Sequence, residues 1–226
     1  GLEPQLQTYR MPNLNPLIDF LFNPFKGANV YGVLPATTNN NEYLILGAHF
    51  DTERFCPGAL DNGSGITLAY SVVQQLALLS HRNMNVILVF FDQEEEDLIG
   101  SQAFAKFCQK QGLKIHSVHT FDTIGWDNDG DLTVELELPT QFLERAYRQQ
   151  ADDLGIPLHI TRVNSTDHHS FRTLGFDAVG LTDEYANGDY PPYKDTTDDT
   201  YDKVNFEFLA SSTQLVYQTV KELITP

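Results

Sequence analysis

An α/β fold, a single domain with a mostly parallel mixed sheet sandwiched between helices, is predicted by three features of the sequence. Apolar runs of strand length alternate with amphipathic segments of helical period from residue 29 to the end. Val86–Phe91 is uninterruptedly apolar, the pattern of a strand buried on both faces. Neither an internal repeat nor a linker-like stretch divides the 226 residues, so one domain over 1–226 is the economical reading.

Taken in order, strands are predicted over 29–34 and 43–49, separated by the polar turn at 37–41. Ile66, Ala69, Val72, Val73, Leu76 and Ala77 then fall at helical spacing. After the strand at 85–91 comes a helix over 103–111, stopped by Gly112. Further strands are predicted over 115–121, 132–137, 158–162 and 178–182, and helices over 141–154, 167–174 and 207–223. Such alternation places helices on both faces of the sheet. Open sheets of this kind bind ligands beyond the carboxyl ends of their strands, so residues just after a strand carry the most functional weight.

Charge narrows the partners. The chain has 31 acidic and 14 basic residues, a net charge of −17. Nucleic acid and anionic membranes both require basic surface, so neither is expected as the main partner. No apolar run reaches the ~18–20 residues of a membrane helix. The two cysteines, Cys56 and Cys108, form neither a CxxC pair nor a disulfide scaffold, which leaves the redox compartment open. The abrupt opening, Gly1-Leu2-Glu3-Pro4, reads as the end of a helix cap and predicts further sequence upstream.

Metal-competent side chains gather at the predicted strand ends. His49 and Asp51 follow the second strand, Glu94, Glu95 and Glu96 follow the third, and Asp122 follows the fourth. Asp61 lies in the glycine-rich stretch Gly58–Gly65. Taken singly, each has an ordinary explanation. A histidine after a strand is more often a surface or core residue than a ligand. Asp61-Asn62-Gly63-Ser64 is a good turn before a helix, and a run of glutamates suits a helix start. Together they offer nitrogen and oxygen donors of the type zinc accepts.

The motifs His49-Phe50-Asp51-Thr52, Pro57-Gly58-Ala59-Leu60-Asp61-Asn62-Gly63-Ser64-Gly65 and Glu94-Glu95 with Leu98-Ile99-Gly100-Ser101 resemble the di-zinc aminopeptidase family. That family includes bacterial leucyl aminopeptidases and is related to glutamate carboxypeptidase and glutaminyl cyclase. The resemblance runs from about Asn29 to the last helix. It implies two zinc ions, with His49 binding one and Asp61 bridging the pair. It makes Asp51 the carboxylate that orients His49, Glu94 the general base, and Glu95 and Asp122 ligands. Asp97 stands where the family commonly has glycine. The usual last ligand is a histidine before an Asp-Thr pair. Anchoring on Asp199-Thr200 and Asp202-Lys203 places Asp195 at that position. Ser165-Thr166-Asp167-His168 resembles a stretch near the family's site, which makes Asp167 and His168 candidate pocket residues.

The resemblance implies a metal-dependent exopeptidase acting on peptides with a free N-terminus, and a secreted or periplasmic location. Three alternatives remain open at this point: a carboxypeptidase or glutaminyl cyclase on the same scaffold, a metal-free binding domain, and a preference for a harder ion such as manganese or cobalt.

Overall fold

The computed structural model describes residues 2–12, 15–22 and 25–225. In chain order they form β1 (Gln5–Met11), α1 (Pro16–Phe22), β2 (Phe25–Leu34), β3 (Glu42–His49), α2 (Gly65–Ala77), β4 (Asn85–Phe91) and α3 (Ile99–Gln111). There follow β5 (Lys114–Phe121), β6 (Val134–Glu137), α4 (Gln141–Leu154), β7 (Leu158–Thr161), α5 (His168–Arg172), β8 (Ala178–Thr182) and α6 (Phe206–Ile224). The eight strands join one sheet in the order β1-β2-β4-β3-β5-β8-β6-β7. Its central strands β4, β3, β5 and β8 run parallel, as do β6 and β7. The β1–β2, β2–β4 and β8–β6 pairs are antiparallel. This is the mixed, mostly parallel sheet that the alternation predicts.

The two-residue period of a strand sends successive side chains to opposite faces. Leu44, Leu46, Val86 and Leu88 therefore pack with Leu68 and Leu76 of α2, Tyr147 of α4 and Leu215 of α6. Ile45, Ile87 and Val89 pack on the other face with Phe104 and Cys108 of α3 and Phe171 of α5. The apolar run in β4 is thus a strand buried from both sides. Each such side chain contributes ~1.5–3 kcal/mol through burial.

Elements at the chain's start and several boundaries differ from prediction. β1 was hidden because it is an edge strand with partner residues only on β2, and its exposed and half-buried residues form no apolar run. α1 is likewise unpredicted. Its apolar Leu17, Phe20 and Leu21 are exposed, so no face-to-core pattern marks it. α3 starts at Ile99 rather than 103 because Gly100 lies against the end of β4. A Cβ there would stand 1.9 Å from the Asp92 carbonyl oxygen, so only glycine allows that approach. β6 starts at Val134 rather than 132, since Leu132 has a left-handed φ of 61° that leaves the extended region. Of the opening four residues, Gly1 lies outside the described residues, and 2–4 lead into β1 without regular structure.

Register decides what the sheet presents. His49 is opposite Phe91, Gly47 opposite Thr120, and Phe121 opposite Leu181. The central parallel strands therefore end level, and the residues that follow them emerge along one rim.

Behind that rim, His119 of β5 is fully buried, with Nδ1 at 2.8 Å from the Tyr147 hydroxyl and Nε2 at 3.0 Å from Ser117 Oγ. Burial, reinforced by His116, pushes its pKa from 6.5 down to about 3. Because the folded value is the lower one, its stabilisation is complete above pH 6.5 and is lost as pH falls toward 3. The loss reaches about 2 kcal/mol by pH 5. His119→Gln is expected to flatten the fall in urea midpoint between pH 7 and pH 5, measured by circular dichroism. An unchanged pH slope would show that His119 is not held neutral.

Candidate metal centre

His49 ends β3 with its ring buried and its two nitrogens differently engaged. Nδ1 lies 3.0 Å from the Asp51 carbonyl oxygen, and Nε2 points into the rim. There it is 2.9 Å from Asp61 Oδ1, 3.3 Å from Asp122 Oδ1 and 4.0 Å from Glu94 Oε2. Asp61 arrives from a separate turn at Ala59–Ser64, where Asp61 and Asn62 leave helical dihedrals. Two side chains hold that turn. Asp199, fully buried, accepts from the Leu60 N–H at 2.7 Å and the Asp61 N–H at 3.0 Å. Asn62 donates to the Phe121 carbonyl at 2.8 Å and accepts from the Gly65 N–H at 3.0 Å.

The two glutamates are aimed by Asp51. Its carboxylate accepts from the Glu94 N–H at 3.0 Å and the Glu95 N–H at 3.2 Å. Asp51 thus orients His49 mainly through its main-chain oxygen, its carboxylate being farther, at 3.6 Å. Asp97, where the resembling family commonly has glycine, has φ 66°. That left-handed conformation suits glycine and is tolerated by aspartate, so the turn survives the exchange.

His49, Asp61 and Glu95 each offer a ligand atom, all within 4.8 Å of one another. Asp122 stands beside His49, with its own N–H on the Leu181 carbonyl. Asp195 joins no such group. The residue of its loop that reaches the centre is Lys194, with Nζ at 2.5 Å from Asp61 Oδ2.

Crowded negative charge dominates the electrostatics. Burial, then Asp122, raises Glu94 to about 10, and burial, then Asp61, raises Glu95 to about 7. Burial opposes a charge on His49, yet Asp122, Asp51 and Asp61 together raise its pKa well above normal. Beside burial, all three groups respond to the same crowd of carboxylates, which raises each of them. Asp61 Oδ1 and Glu95 Oε1 are buried and accept no hydrogen bond. An imidazole nitrogen with carboxylate oxygens is a donor set that zinc accepts, and a cation among them would satisfy both orphaned oxygens. The residues fit at least one such ion.

A cavity of about 430 Å³ opens over the centre, lined by acidic Glu94, Glu95, Asp122 and Glu137 with Tyr185 and Lys194. Asp167 and His168 are buried and do not line it. His168 instead supports the wall from behind, with Nδ1 at 2.9 Å from Thr166 Oγ1 and 3.5 Å from Glu137 Oε2. Asp167 sits at the N-terminal cap of α5 without a side-chain capping bond. Sequence reasoning missed Lys194, Glu137 and the bracing role of Asp199. Glu137 had a signal, because it is an acid at a strand end. The other two are loop residues whose reach no local pattern encodes.

Known proteins can be set beside this geometry. Aminopeptidase YwaD of Bacillus subtilis (strain 168) is 25% identical over 203 residues, covering 87% of this chain and 44% of that protein. The probable lipoprotein aminopeptidase LpqL of Mycobacterium tuberculosis is 30% identical over 112 residues, covering 49% of this chain and 22% of its own length. Among solved structures, BSAP, a zinc aminopeptidase from Bacillus subtilis, superposes with a TM-score of 0.83 at 21% identity, covering 91% of this chain and 52% of that one. Porphyromonas gingivalis glutaminyl cyclase superposes with a TM-score of 0.79 at 18% identity, covering 98% and 84%. Such structural likeness shows the shared fold. The chain spans about half the length of the aminopeptidases YwaD and BSAP. The sequence profile of peptidase family M28 matches residues 29–220, so this chain belongs to that family.

Proposed function

We propose that the chain carries a metal-dependent aminopeptidase site, with Glu94 as its general base. The observation that carries this reading is the division of labour between two adjacent glutamates. Glu95 belongs to the donor set with His49 and Asp61, whereas Glu94 stands outside that set on the wall of the same cavity. A neighbour that is not a ligand is free to carry a proton.

His49, Asp61 and Glu95 would hold zinc, with Asp122 beside His49. Zinc bound in such a set acts as a Lewis acid on a carbonyl and brings the ionisation of water toward neutral pH. The chain's own residues do the rest. The Glu94 carboxylate takes the proton of the attacking water and delivers it to the departing amine. Asp51 keeps that carboxylate in place through the Glu94 N–H. The acidic lining favours a substrate that ends in a cation, which is the free α-ammonium of a peptide. A free N-terminus is thus the recognition element we assign. Two ions, as the sequence resemblance implies, would need Asp61 as a bridge, with one oxygen for each.

Glu94→Gln is expected to lower hydrolysis of aminoacyl p-nitroanilides ~10²–10⁴-fold while zinc content stays unchanged. Undiminished turnover would remove Glu94 as the base. In the same assay, N-acylated substrates are expected to resist cleavage. Cyclisation of N-terminal glutaminyl peptides without hydrolysis would assign the site to the cyclase branch instead. Asp199→Ala is expected to weaken zinc binding ~10–100-fold by releasing the Leu60 and Asp61 amides, read by competition with a chromogenic chelator. Unaltered affinity would mean the Asp61 turn holds itself.

A further inference from the structure

Asp61 divides its buried carboxylate between two neighbours, an imidazole and an ammonium. Oδ1 faces His49 Nε2 at 2.9 Å, inside the donor set, while Oδ2 is 2.5 Å from Lys194 Nζ. A carboxylate bridging two metal ions gives one oxygen to each. The ammonium therefore occupies the oxygen that a second ion would need. A charged lysine has no lone pair and cannot act as a ligand, so it excludes an ion rather than helping to bind one.

The loop's Asp195 does not take the lysine's place as a donor at Asp61. Among the described residues, Asp61 belongs to one ligand group, with His49 and Glu95. Asp195, next to Lys194, enters none, and its φ of 60° marks a sharp change of chain direction immediately after the lysine. The lysine is well held. Its side chain is 20% exposed and lines the cavity beside Glu94, Glu95 and Asp122. A second cation of charge two would have to displace it from a buried carboxylate, which leaves that ammonium without its partner.

Resting on the zinc reading above, we infer that the centre takes a single metal ion and that the Lys194 ammonium stands in for a second. It neutralises the outer oxygen of Asp61 and presents a fixed positive charge to the cavity. Unlike a metal ion, this charge is covalently tethered and no chelator removes it.

Zinc content of protein equilibrated with excess zinc and then desalted, measured by elemental mass spectrometry, tests the inference. The wild type is expected to retain about one zinc per chain. Lys194→His, which exchanges the ammonium for an imidazole donor, is expected to retain about two, with a zinc–zinc vector in X-ray absorption that the wild type lacks. His49→Ala is expected to lose the ion and serves as the control for zinc bound elsewhere. Two His49-dependent ions in the wild type would overturn the inference and leave the zinc reading standing. One ion in Lys194→His would overturn the claim that the ammonium is what excludes the second. No His49-dependent zinc in either protein would overturn both readings. Should Lys194→His fail to fold, native mass spectrometry of the wild type across a zinc titration decides. Saturation at one ion supports the inference, and a second ion overturns it.

Discussion

The carboxylate of Asp61 is the point on which the site depends. It is 1% exposed, so its charge must be met locally or the fold bears several kcal/mol for leaving it unpaired. His49 and Lys194 meet it from two sides, and Asp199 fixes its backbone from a third. Asp61 itself stands in the turn before α2, His49 ends β3, and Lys194 and Asp199 both come from the long loop before α6. The centre therefore draws together segments that lie far apart in the chain. Local sequence cannot build any half of it alone.

The sheet in turn is shaped to let those parts meet. Parallel strands with level ends put His49 beside Asp122 without any long-range adjustment. Close approach is then purchased with small residues. At Gly65, the first residue of α2, a Cβ would lie 2.6 Å from the Phe121 carbonyl, which brings the Asp61 turn against the end of β5. At Gly180 a Cβ would lie 2.5 Å from Glu137 Oε2 and 2.6 Å from His168 Nδ1, so β8 makes room for the cavity wall. At both positions the glycine serves close approach, of a neighbouring backbone at Gly65 and of side chains at Gly180.

How much of this was legible follows from the kind of signal involved. The core strands and α4 read directly, because a two-sided apolar run and a helical period are local patterns. Which residues stand at the strand ends also read well, since the place of a strand's end is local. What failed to read was direction and reach. Asp51 was legible as a partner of His49, but its carboxylate goes to the Glu94 and Glu95 amides while its main-chain oxygen serves the ring. On the 192–200 loop, counting back from Asp199 selects Asp195. The buried Asp199 does fix the end of that count, but the chain between bends so that Lys194 is the residue pointing inward. A one-residue difference in a loop leaves no periodic trace, although it changes the chemistry of the side chain delivered.

That difference has a consequence for charge. Asp61, Glu94, Glu95 and Asp122 bring four carboxylates within reach of one imidazole. Two divalent ions would neutralise them fully and leave little drive for any carboxylate to hold a proton. One divalent ion with an ammonium leaves a single negative charge over. Glu94 and Asp122 both line the cavity and belong to no ligand group, and Glu94 is the one farther from His49 Nε2, at 4.0 Å against 3.3 Å, which makes it the better placed to bear that charge. A residual charge crowded by other carboxylates favours proton uptake, which is what the proposed base requires. On the proposed single-ion reading, the lysine that takes the place of a second ion would also leave Glu94 the charge that its proposed role demands, so the two proposals support each other.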